Sequence, residues 1–198
     1  MNRRTILSGA AVLGSAALAP IAALAGPGLR RFDGPVLVDR SAPGAARFAR
    51  QARRLGSRVT FTDGDLTGLW MQELEQGWRE KPSIIAGFTR PGPASLLQLM
   101  AHRNRMRVAV RIDHQWTQTG VRHAVLLPAP LAGAARRQLE QDWMAGAAGL
   151  VIADPVGGPP MAFTLDTGGS VPEGEASRSV SWLIAPIRSA DTSNARTT

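Results

Sequence analysis

The chain predicts an α/β fold: an open, mostly parallel sheet of the Rossmann or flavodoxin type, helices on both faces, and an antiparallel C-terminal extension. Three observations predict it. Short apolar runs near 35–39, 58–62, 83–88 and 107–112 alternate with helix-periodic segments, the strand–helix rhythm of a parallel sheet. Three such units in succession, joined by right-handed crossovers, predict strand order 2-1-3-4, with helices on both faces where the order reverses. After residue 114 the rhythm gives way to turn-linked runs, as in hairpins.

The elements follow in order. "PVLVD" reads as a buried strand ending in Asp39. In the next segment Ser41 is a candidate cap, Pro43 suits a first turn, and Gly56 ends the helix. Ala45, Phe48, Ala49, Ala52 and Leu55 make its apolar face, with Arg47, Arg50 and Arg54 opposite. "RVTFTDGD" is the second strand. Leu66, Trp70, Leu74 and Trp78 then recur every four residues, a helix stopped before Pro82. "SIIAGFT" is the third strand, and the following helix turns Leu96, Leu97, Met100 and Ala101 to the core. "RVAVRID" is the fourth strand. "HQWTQTGVRHAVLLP" is a hairpin turning near Thr119-Gly120, and 130–148 a helix with Leu131, Ala134, Ala135, Leu139 and Trp143 on its stripe. "GLVIADP", "MAFTLDT" and "SVSWLIAP" read as three further strands between Gly- and Pro-rich loops.

The first residues carry an address. Arg3 and Arg4 precede an apolar, small-residue run broken by Pro20, and Ala23-Leu24-Ala25 gives an A-x-A cleavage pattern. This is an export signal over 1–25 rather than an anchor, and Arg-Arg-x-apolar-apolar matches the twin-arginine pattern of folded-protein export. Residues 26–188 then form a single domain, and 189–198 a small, polar, disordered tail.

Composition narrows the chemistry. No cysteine is present, which excludes disulfides, thiolate nucleophiles, cysteine-ligated zinc and iron–sulfur clusters. The formal charge of +8 falls to +6 once Arg3 and Arg4 leave with the signal. Lys81 is the only lysine, so the cations are arginines of a solvated surface. In an exported protein that charge fits an acidic protein surface or anionic headgroups, with nucleic acid not expected. GxGxxG, P-loop, GxSxG and HExxH patterns are absent, so neither a dinucleotide nor another cofactor is evident.

Ligands of open parallel sheets lie beyond the strands' carboxyl ends, where strand order reverses. The ends here are Asp39-Arg40-Ser41, Asp63-Gly64-Asp65, Thr89-Arg90 and Asp113-His114. The candidate ligand-binding residues are therefore Asp39, Asp63, Asp65, Thr89 and Arg90. Asp39, Asp65 and Arg90 lead, as acceptors and a forked donor around one crevice. Helix capping by Asp65, Thr67 or Ser41 is the competing reading. Asp63 and Asp65 flank a glycine and, with Asp39 and His114, could also hold a hard cation for hydrolysis. His114 and His123 fall on one face of the hairpin if its turn has two residues, where they could be metal ligands; a structural role is the competing reading. The tryptophans read as core, Trp116 excepted as a candidate binding surface.

The stretch "DGDLTGLWMQELEQGWREKPSIIAGFT", with the next helix, "RVAVR" and "VSWLIAP", resembles a group of small Tat-exported periplasmic proteins of proteobacteria without assigned activity. Asp65, Leu66, Thr67, Leu69, Trp70, Glu73, Leu74, Trp78, Ile85, Ala86, Gly87 and Thr89 carry the resemblance. It implies a periplasmic location and transfers no catalytic residue. The expected function is a non-catalytic ligand-binding or accessory subunit of a co-exported enzyme, with the Tat machinery, a protein partner or a small anionic ligand as contacts. The alternative is a metal-assisted hydrolase using the strand-end aspartates.

Overall fold

The computed structural model describes residues 34–153, 157–168 and 178–187. The signal residues Arg3, Arg4, Ala23 and Ala25 and the 189–198 tail lie outside them.

The elements are β1 (Val36–Asp39), α1 (Ala45–Arg54), β2 (Val59–Thr62), α2 (Thr67–Leu69), a π-helical turn (Trp70–Leu74), α3 (Glu75–Glu80), β3 (Ile85–Thr89), α4 (Pro91–Arg103), β4 (Met106–Trp116), β5 (Gly120–Pro128), α5 (Ala132–Ile152), β6 (Pro160–Gly168) and β7 (Arg178–Pro186). They build one seven-stranded sheet of order β2-β1-β3-β7-β4-β5-β6. β1 pairs parallel with β2 and β3; every other pairing is antiparallel. The expectation of a mostly parallel, Rossmann-like sheet is therefore corrected: the fold is α/β with a mixed sheet that is mostly antiparallel.

The predicted order 2-1-3 holds, but β4 is not the neighbour of β3. β7 lies between them, antiparallel to both. The reason is burial. β7 is buried from Ser179 to Ala185 on both faces, and a strand that apolar is stable only between neighbours and beneath two layers. The short, half-exposed β2 takes the edge instead.

Helices cover both faces, as the reversal at β1 requires. On one face Val36, Val38, Ala86, Phe88, Ile112 and Leu183 pack with α1 and α5. On the other, Leu37, Ile85, Trp182 and Ile184 meet α4 and the Leu66–Trp78 segment. A β-bulge at Ala109 lets β4 serve both layers: Val108 packs on the second face and Val110 on the first. The strict four-residue spacing of Leu66, Trp70, Leu74 and Trp78 exceeds the 3.6-residue turn and drifts by about 40° per repeat. The π-helical turn at Trp70–Leu74 takes up that drift.

Three local expectations change. "GLVIADP" is not a strand; Gly149–Ile152 finish α5. A short apolar run has no period of its own, and here it continues a helix already on the sheet. Leu96 points outward, and Ala94, Leu97 and Ala101 face the core of α4. Trp116 is buried against Trp143 and is not a binding surface.

Candidate functional site

The carboxyl ends of β1, β3 and β4 lie at one end of the sheet, and two polar clusters form there on opposite faces. The first is the predicted corner. Asp39 is fully buried at the end of β1. Its Oδ1 accepts from the Ser41 backbone N–H at 2.9 Å and the Ser41 hydroxyl at 2.6 Å. Its Oδ2 accepts from Arg90 Nε at 3.0 Å, with the Arg90 backbone N–H at 3.5 Å. Burial alone would raise this carboxyl, but the donors of Ser41 and Arg90 outweigh it and hold it below the ordinary value. Ser41 is thus spent on Asp39 and does not cap α1, whose N-cap is Gly44.

Arg90 stays 44% exposed while bound to a carboxylate that is not exposed at all. Gly64 makes this mounting possible. Its φ of +87° is left-handed, and a Cβ there would stand 2.1 Å from Arg90 Nη2. The Asp63-Gly64-Asp65 loop therefore lies against Arg90, as the strand-end reading expects. Its carboxylates turn elsewhere: Asp63 pairs with Arg40 at 3.4 Å on the surface. Asp65 accepts the Thr67 N–H at 2.8 Å, which holds its carboxyl low and starts α2. Thr89 is buried, accepting from Trp182 Nε1 at 3.1 Å and donating to the Arg90 carbonyl at 3.0 Å. Trp182 reaches it across Gly87, where a Cβ would stand 2.4 Å from the indole.

The second cluster was visible in the sequence only as a pair on one face. The hairpin turn has two central residues, Gln118 and Thr119, so His114 and His123 pair directly across β4 and β5. Their Nδ1 atoms share a hydrogen bond of 2.7 Å. His114 Nε2 meets Ser181 Oγ of β7, and His123 Nε2 meets Thr167 Oγ1 of β6, each at 2.8 Å. Both rings are buried under Trp143, with centroids 4.8 and 5.1 Å from it. Burial, reinforced by the neighbouring ring, pushes His114 well below its ordinary value; burial pushes His123 down to about 4. The pair is neutral at pH 7. Nitrogens at this distance, each with its outer nitrogen on a hydroxyl, satisfy each other as a hydrogen-bonded pair. Among the described residues no group of three or more His, Asp or Glu side chains is placed to hold a metal ion.

Asp142 was missed. It leaves helical geometry at φ −151°, ψ 97°, breaking α5 in two. Its Oδ1 accepts from the Met144 and Ala145 N–H groups at 3.1 and 3.2 Å, capping the second half, and from Arg47 at 3.2 Å. The break sets Trp143 onto the histidines. Its signal was an Asp directly before the apolar run "WMAGAAGLVI".

Compared with protein-family models, curated proteins and solved structures, the chain matches none.

Proposed function

We propose that this chain is an exported, non-catalytic binding protein, an accessory or ligand-binding subunit that meets its partner through Arg90 at the carboxyl edge of the sheet. The observation that carries the reading is the mounting of Arg90: Nε fixed on the buried Asp39, Gly64 beneath, and the side chain 44% exposed. A guanidinium held by Nε offers its terminal nitrogens as a fixed fork, which suits a carboxylate or phosphate. The ligand is thus an anionic group, on a protein or a small molecule. The hydrolase reading has less support, because Asp39, Asp63 and Asp65 each answer to a different donor. Periplasmic export rests on Arg3, Arg4, Ala23 and Ala25, and among the described residues no helix is long and apolar enough to cross a membrane.

The test is Arg90→Lys. A lysine can still pair with Asp39, but its one ammonium is then spent and the outward fork is gone. Native mass spectrometry of the chain isolated from its own periplasm should find a bound ligand or partner on the wild type and none on the variant, at nearly equal melting temperature. Equal retention by both, or a wild type that carries nothing, contradicts the reading.

A further inference from the structure

The His114–His123 pair links four side chains in one row: Ser181, His114, His123 and Thr167. One end is dry, since Ser181 is fully buried, and the other is wetter, since Thr167 stands half-buried on the edge strand β6. The row accepts a limited number of protons. With both rings neutral, one Nδ1 carries a hydrogen and the other accepts it, and each Nε2 has a hydroxyl partner. One added proton keeps every link, because the charged ring donates from both nitrogens while its neighbour still accepts at Nδ1. Whichever hydroxyl was donating to its ring must then turn its hydrogen elsewhere: Thr167 has the Val121 carbonyl at 3.5 Å, and beside Ser181 the Ser179 Oγ lies on the same face of β7, buried and without a hydrogen-bond partner among the described residues. A second added proton puts hydrogens on both facing Nδ1 atoms, and the central bond cannot exist.

What rests on that bond is specific. Trp143 covers both rings and begins the half of α5 that Asp142 caps. The next residue, Met144, closes on the β1–α1 loop, where a Cβ on Gly44 would stand 2.8 Å from the Met144 methyl. Trp116 and Phe88 border the same glycine. We propose that the paired histidines are an acid-operated latch: the second proton breaks the Nδ1–Nδ1 bond and releases Trp143, the Trp143–Ile152 half of α5 and the Gly44 loop it holds. This goes beyond the Arg90 reading and does not rest on it.

Few charges compete. β4 places Arg111 and Asp113 on the opposite face, paired with each other, and β5 and β6 place Arg122 and Asp166 there likewise. Of this last pair, Asp166 acts on His123 and favours its charged form. Above the rings the Asp142–Arg47 pair of α5 and α1 is the one described ion pair. β3 and β7 contribute Phe88, Ser179 and Ser181, which are neutral.

The test is an imidazole ¹⁵N titration of the purified chain from pH 7 to 3, followed in parallel by tryptophan fluorescence. The expected result is two linked steps. The first proton leaves fluorescence unchanged, and the second, at lower pH, coincides with a change that Trp143→Phe removes. The double variant His114→Phe/His123→Phe should lose that step or move it down by at least about one pH unit. Rings titrating independently near pH 6.5, or a double variant that responds at the wild-type pH, overturn the proposal. If the double variant does not fold, the wild-type ¹⁵N titration decides alone.

Discussion

The two polar clusters at the carboxyl end of the sheet solve burial in opposite ways. At the corner a charge is kept: Asp39 is ionised in the core because Ser41 and Arg90 give it four donors. On the other face charge is expelled: His114 and His123 are neutral and satisfy each other. A kept charge needs a partner, and a partner that reaches solvent can act on solvent. That is why the proposed function places the ligand on Arg90 and on neither histidine. The neutral cluster instead forms part of the packing and carries stability.

The largest blow to this contrast is Trp143→Ala. It opens the roof over both rings and should cost about 3–5 kcal/mol, read from urea unfolding. A loss below about 1 kcal/mol would mean that the histidines do not depend on that roof. Arg90→Ala comes next. It leaves Asp39 buried with only Ser41 and a backbone N–H, a loss of about 2 kcal/mol for a charged hydrogen bond whose donor is half-exposed. Arg90→Lys should cost under about 1 kcal/mol, which separates the anchoring of Asp39 from the outward fork. The smallest effect belongs to Asp65→Ala, a small fall in melting temperature, because Asp65 only accepts the Thr67 N–H from the surface. If Asp65→Ala also removed a bound ligand, the corner would extend further along its rim than Arg90.

Much of this was legible. The runs at 35–39, 58–62 and 83–88 are β1, β2 and β3 within two residues, because strand–helix rhythm is local. The meeting of Asp39, Arg90 and the Asp63–Asp65 loop followed from order 2-1-3 alone. What each carboxylate binds did not, since a capping Asp and a ligand-binding Asp look alike in sequence. The position of β7 depends on which strand needs cover on both faces, a property of the assembled layers; its unbroken "SVSWLIA" was the signal available. Asp142 was hidden because helical periodicity continues on both sides of the break. The histidine pair was half legible: parity gave the shared face, but Ser181 and Thr167 arrive from strands whose register only the closed sheet fixes.

The contrast between a kept charge and an expelled one has its most direct test in the stability–pH profile of the wild-type chain, measured by urea unfolding between pH 7.5 and 3. A histidine kept neutral by folding binds its proton more weakly in the native chain than in the unfolded one. Stability is therefore full above about pH 6.5 and falls as pH drops toward the native value, about 4 for His123. For His123 alone the fall is about 3 kcal/mol across that window. Asp39 has the opposite sign of shift, so its contribution persists down to about pH 3.8 and is lost only below it. The expected profile declines from near pH 6.5 and is well advanced before the Asp39 contribution begins to be lost. A profile flat from pH 7.5 to 4.5, with all loss below pH 4, would contradict it.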